Sequence, residues 1–477
     1  MWAKTSFARP IHSMYKHNAI KKYRFDVGDI MQKFVLFPLF VIFGMVNGNV
    51  FADSAKDYWP TWRGPNCTGV SPKGNPPVKW SETENVKWKI ELTGDASNGS
   101  PIIWKDKIFF QTAIKTDVQG KSDTQAAADG GRGRRGPGGS PPNNIYKFNL
   151  VCVDRNSGKQ LWEKTVREVL PHQGHHANHG FASFTPVTDG KFVWVNFGSR
   201  GVHCLDLDGN LKWSKDLGQM NTVMGFGEGG SLAVAGDVVI VVRDHEGDSC
   251  VVALNKENGE IIWKKERDEP TSWATPLAVE MNRKIQIVVS ATNLIRSYDL
   301  KTGDIVWQCA GQTRNVIPSP VAGFGMVYCT SGYRGSSLQA IELGRTGDLS
   351  DTDAVKWHVK EATPYVPSPL LYGDKIYVCS VNQPVISCYN AKSGKAYFLK
   401  ERLPDINEIY ASAAGAAGRV YFIGRNGVTC VLKHSDKFEI LAINKLNDKV
   451  DCSPAFVDND MYIKGKENLY RLNNSNS

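Results

Sequence analysis

The chain has 477 residues, 41% apolar, 22% charged and 10% aromatic, which fits a protein with a substantial core and excludes a wholly disordered, collagen-like or polytopic membrane chain. Its 45 glycines and 13 tryptophans favour tight turns between aromatic-rich strands over long helices, so composition points to an all-β fold. The net charge of +9 is concentrated at the start: residues 1–52 carry seven Lys/Arg against two Asp/Glu, leaving +4 elsewhere and no electrostatic case for nucleic acid as a partner.

In chain order, the first element is an apolar run over residues 34–46, preceded by Lys33 and followed by Val50-Phe51-Ala52. It reads as a secretory signal peptide over residues 1–52, with cleavage after Ala52 and Met31 as an alternative start. A membrane helix needs about 20 apolar residues, and Pro38 interrupts this run. A periplasmic or secreted protein with no transmembrane anchor after cleavage is therefore expected. Residues 53–85 read as an N-terminal extension and 473–477 as a tail. A low-complexity insert at about 115–145, with Gly130-Gly131-Arg132-Gly133-Arg134-Arg135-Gly136-Pro137 at its core, is expected to be disordered.

Two repeated elements organise the rest. One runs aliphatic, Asp/Asn, two residues, Ser/Thr/Asn-Gly, then a stretch ending in Trp, as in Val153-Asp154 through Ser157-Gly158 to Trp162; further copies end at Trp263 and Trp307, and weaker ones at Trp213, Phe398 and Trp357. Asp and Gly suit a tight hairpin there. The other is Ser/Thr-Pro-aliphatic, with second positions Pro101, Pro186, Leu232, Pro276, Pro320, Pro369, Ala413 and Pro454. Eight copies spaced by about 44 residues match a four-stranded propeller blade. A parallel β-helix or separate sandwiches require no such repeat. The last copy has room for three strands, and residues 86–90, Val-Lys-Trp-Lys-Ile, resemble the missing Trp-bearing strand. The fold class read from this pattern is an eight-bladed β-propeller over 86–472, with four-stranded antiparallel blades and a ring closed by the N-terminal strand. Cys152, Cys204 and Cys388 occupy equivalent strand positions, as do Cys329 and Cys379. Equivalent positions in neighbouring blades are too far apart for disulfides, so buried free thiols are expected.

The elements ending at Trp162, Trp263 and Trp307 resemble the tryptophan-docking repeat of the pyrroloquinoline quinone (PQQ)-like β-propellers, over about residues 80–472. Trp59-Pro60-Thr61-Trp62-Arg63-Gly64-Pro65, followed by Gly69-Val70-Ser71, is similar to the opening of a secreted subgroup. Two relatives within the resemblance imply different roles. Quinoprotein alcohol dehydrogenases hold PQQ and calcium beside a disulfide of adjacent cysteines, and this chain has no Cys-Cys pair. The outer-membrane assembly lipoprotein is a non-catalytic scaffold, and its lipid-bearing cysteine has no counterpart here.

In a four-stranded antiparallel blade, the loops between strands two and three share a face with the blade-to-blade connections. On that face stand His172, His175, His176 and His179, whose imidazoles suit a divalent metal with an oxygen ligand from Asp244 or Glu246. The candidate ligand-binding residues are Arg200, Glu228, Asp244, His245, Glu246, Arg267, Asp268, Glu269 and Trp273. Solvated loop charges and carbonyl-bound histidines are the plainer reading of the same residues. The leading expectation is a non-catalytic binding or scaffold module for a protein, peptide or glycan, without PQQ. The rival is an enzyme, either a quinoprotein oxidoreductase or a metal-dependent activity centred on residues 172–179.

Overall fold

A computed structural model describes residues 56–94, 97–120 and 138–474. The expected signal peptide, residues 1–52, and the glycine-arginine core of the insert lie outside the described residues. Eight antiparallel sheets follow one another around an axis. Blade 1 is built from Ile102–Trp104, Lys107–Gln119, Asn144–Asp154 and Gln160–Val169. Blade 8 takes Ala455–Val457, Asp460–Lys464 and Asn468–Leu472 from the end of the chain and Val86–Glu91 from its start, with Lys89 opposite Tyr470 and Ile90 opposite Leu469. The all-β, eight-bladed fold class holds, and helix among the described residues is confined to short 3-10 turns.

The repeat has a physical cause. Trp88, Trp213, Trp263 and Trp357 each lie on the outer strand of one blade and reach the strand-three to strand-four turn of the next, whereas Trp307, which faces a blade without that tight turn, donates to Gln286 of its own blade at 3.2 Å. Trp263 donates from Nε1 to the Leu300 carbonyl at 2.9 Å and covers Gly303. At Gly303, φ is +72° and a Cβ would sit 2.6 Å from the indole, so both backbone conformation and contact demand glycine. Trp88 makes the same contact across the seam, donating to the Arg155 carbonyl at 3.0 Å over Gly158. The closing strand is therefore docked as the internal ones are.

Two details depart from the regular pattern. The strands of blade 1 run to Gln119 and resume at Asn144, so they extend into the ends of the insert expected at 115–145. In blade 5 the tight turn is replaced by a longer excursion whose Gly347–Asp348 pairs in parallel with the outer strand of blade 4, Ile305–Cys309. That excursion explains the eroded copy ending at Trp357. None of the ten cysteines forms a disulfide, and nine are buried.

His203, on the third strand of blade 2, is buried with both ring nitrogens engaged. Nε2 lies 3.0 Å from the Arg200 carbonyl and Nδ1 lies 2.8 Å from the Ser214 hydroxyl, an arrangement that suits the neutral ring. Burial pushes its pKa down to about 4, against the pull of the Arg200 carbonyl. The unfolded chain thus binds the proton more readily, and stability falls as pH drops from about 6.5 towards 4. Urea unfolding at pH 7 and pH 4 should show wild type losing about 3 kcal/mol more than His203→Gln. Equal losses in the two proteins would remove His203 as the cause.

Candidate functional site

The N-terminal extension shapes the site from below. Residues 56–58 lie beside the Lys105-Asp106 turn on the tight-turn face, and residues 59–71 then enter the axial channel. Trp59 exchanges backbone hydrogen bonds with Ile103 of blade 1, the Thr188 amide of blade 2 donates to the Pro60 carbonyl, and Gly69 and Ser71 bracket Gly415 of blade 7. Trp59 is 1% exposed and meets Phe456 edge-on at 5.5 Å. Trp62, carried at the top of this plug, is part of the wall of a funnel that opens on the loop-rich face.

The funnel has a volume of about 310 Å³, and every blade-to-blade connection contributes to it. Its aromatic residues are Trp62, Phe226, Trp273, Tyr365 and Tyr410. Trp273 is fixed by a 2.8 Å bond from Nε1 to the Gly227 carbonyl. Around the axis runs a closed ring in which the backbone amide of each Ser or Thr opening an inner strand donates to the hydroxyl of its counterpart in the next blade. The order is Ser100, Thr185, Ser231, Thr275, Ser319, Ser368, Ser412, Ser453 and back to Ser100, at 2.8–3.0 Å. Each bond ties two blades together and satisfies an amide that no sheet ladder reaches.

The residues singled out from the sequence fall into two groups. His176, His179 and Trp273 line the funnel. Arg200, Glu228, Asp244, Arg267, Asp268 and Glu269 are instead held in ion pairs. Arg200 meets Glu228 at 3.1 Å, and Glu228 also accepts from the Ser199 amide and hydroxyl at 2.6 Å. Arg267 and Asp244 form a two-pronged pair at 2.7 and 3.1 Å, both side chains 0% exposed, with Ser272 donating to Asp244 at 2.6 Å and the Tyr298 hydroxyl bonded to Arg267. Burial alone would lower the Arg267 pKa, but the charge of Asp244 and the Tyr298 side chain outweigh it and leave the group raised. Glu269 binds Arg296 at 2.7 Å, Asp268 binds the same guanidinium from an exposed position, and exposed Glu246 accepts from Thr271 at 2.7 Å. His245 is buried and accepts from the Gly247 amide at 3.0 Å.

The four loop histidines bond to the backbone: His172 to the Met220 carbonyl, His175 to the His176 carbonyl, His176 to the Asn178 amide and His179 to Gly180. Desolvation lowers the His179 pKa to about 4. Among the described residues no group of three or more His, Cys, Asp or Glu side chains comes together as a metal site. Sequence reasoning missed Trp62, Tyr365 and Tyr410, and also Asp451, which faces the funnel while paired with Arg425 at 2.7 Å. A signal for one of them was present: Tyr410 stands two residues before its ring serine, as Trp273 stands before Thr275.

Known proteins place this architecture. BamB from Moraxella catarrhalis is 14% identical over 70% of this chain and 95% of its own, with a TM-score of 0.50. The quinohemoprotein alcohol dehydrogenase from Comamonas testosteroni is 10% identical over 88% of this chain and 81% of its own, with a TM-score of 0.55. At such identities these likenesses establish the fold. A tetrathionate hydrolase from Acidithiobacillus ferrooxidans is 22% identical over 300 residues, 58% of this chain and about half, 53%, of that relative. Among the described residues no helix is long and apolar enough to cross a membrane. The family model described as outer membrane protein assembly factor BamB matches residues 147–400, more than half of the chain, and the chain belongs to that family.

Proposed function

We propose that the protein is an exported, non-catalytic binding or scaffold module whose funnel receives a segment of a protein, peptide or glycan. The observation that carries this reading is the funnel itself, aromatic-walled and ringed by hydroxyls, with its charged neighbours committed to one another. Asp451 is held by Arg425, and desolvation keeps His179 neutral at physiological pH. Aromatic rings supply contact area while hydroxyls and amides supply direction, which suits binding more than proton transfer. Export is supported by the signal-like pattern at residues 34–52 and by membership in an outer membrane assembly family.

PQQ does not fit the residues present. Among the described residues no lysine or arginine lines the funnel to meet a polyanionic quinone, and the chain has no adjacent cysteines to pack beneath one. The oxidoreductase reading rests on likeness of fold. Purified protein screened against immobilised peptides and oligosaccharides should retain a ligand, and Trp273→Ala should weaken its binding by about 2 kcal/mol, roughly thirtyfold, in a variant that still folds by circular dichroism. Stoichiometric PQQ uptake with dye-coupled alcohol oxidation would overturn the proposal.

A further inference from the structure

Arg63 is a buried cation without a counter-charge. The residue is 3% exposed, on the plug behind Trp62, with its guanidinium carbon 5.8 Å from the Trp62 ring centroid. Nη2 donates to the Thr68 and Pro369 carbonyls, each at 2.7 Å, while Nε and Nη1, both buried, meet no acceptor among the described residues. Burial lowers its pKa to about 10, and the neighbour that acts on its charge is the Cys67 thiol, not a carboxylate. The guanidinium groups of Arg200, Arg267, Arg296 and Arg425 are each paired with a carboxylate. An unpaired charge at such depth costs several kcal/mol unless something else compensates it.

The surroundings supply further donors. Pro369 follows Ser368 of the hydroxyl ring, and Gly69, whose Cβ would lie 2.8 Å from Arg63 Nη2, is also 3.2 Å by that measure from the carbonyl of Ala413, which follows Ser412. Arg63 therefore stands beside the ring at blades 6 and 7. Ser368 and Ser412, each 4% exposed, already accept bonds from the Ser319 and Ser368 amides at 2.9 Å. Their hydroxyl protons have no acceptor among the described residues. The unmatched Nε and Nη1 of a buried guanidinium, beside this stretch of the hydroxyl ring and with no carboxylate to quench them, are donors of the kind that bind oxyanions.

We propose that Arg63, with Ser368 and Ser412, forms an axial site for a small oxyanion such as sulfate, phosphate or a carboxylate, buried behind the floor of the funnel. The site shares Ser412 with the lining of the funnel but does not depend on the funnel's role as a protein, peptide or glycan receptor, because it rests on a charge that the fold itself leaves uncompensated. It also differs from a PQQ site: Arg63 lies against Trp62 and is not among the residues that line the funnel.

The test is a thermal melt of the full chain against sodium sulfate, phosphate, acetate and bromide at constant ionic strength. At least one anion should raise the melting temperature along a saturating curve at millimolar concentration, and Arg63→Met should weaken that apparent affinity by at least about tenfold. A weak, non-saturating rise common to both proteins would be general salt exclusion and would count against the site. No saturating response in wild type, or an unchanged one in Arg63→Met, overturns the proposal. If Arg63→Met does not fold, crystals of the unaltered protein soaked in bromide decide: anomalous density within hydrogen-bond reach of Arg63 supports the site, and water alone in that position refutes it.

Discussion

Replacing Val86–Glu91 with a glycine-serine stretch of equal length is expected to abolish the cooperative unfolding transition of the whole ring. The strand supplies the outer ladder of blade 8 and carries Trp88, which docks on blade 1 over Gly158. Without it, Asn468–Leu472 becomes an open edge, and the seam between the last and first blades loses its indole. Trp88→Ala alone, truncating a half-buried side chain, should cost about 2–3 kcal/mol by urea unfolding. The linker variant should bind a hydrophobic dye and self-associate, and a synthetic peptide of the native strand added in trans should reverse both by pairing with the edge. A monomeric linker variant with a wild-type melting temperature would show that the seam needs no fourth strand.

The second large effect is expected at the Asp244–Arg267 pair. Each partner alone has been desolvated for the other, so Asp244→Leu or Arg267→Met leaves a buried, unanswered charge and should cost about 3–5 kcal/mol. The double variant should recover much of this, remaining below wild type by about 1–3 kcal/mol because the Ser272 and Tyr298 hydroxyls lose their partners. Single variants within about 1 kcal/mol of wild type would mean that water reaches the pair and that it contributes little to stability.

Much of the fold was legible because the same physical problem is solved in each blade. A tryptophan docking on a glycine turn leaves a fixed spacing, and the Val-Lys-Trp-Lys-Ile stretch could be matched to the copy that lacked an outer strand. The plug was not legible in the same way. Trp59 to Ser71 occurs once, and its place depends on a channel width that no linear pattern encodes. Strand parity correctly gathered the loops of one face, which is why Arg200 meets Glu228 and Asp244 meets Arg267 there. Parity could not separate side chains that face a ligand from those that face each other, since that depends on contacts of 2.7–3.1 Å between residues 23–28 positions apart. The Ser/Thr before each inner strand was visible as part of a repeat. Its role as a ring member appeared only once the eight copies stood around one axis.

The shared eighth blade also sets an order of events for folding. Val86–Glu91 is made early, yet its partner Asn468–Leu472 is among the last segments of the described chain, so their contact spans nearly the full sequence. Blades 1 to 7 can each assemble from neighbouring segments, whereas the closing blade must wait for a loop of that length to find its end, the slow and entropically opposed kind of step. During that interval one strand of the pair has no ladder and Gly158 has no cover. The chain is then most exposed to association with other copies of itself, and a helper that shields a single extended segment would be enough to protect it.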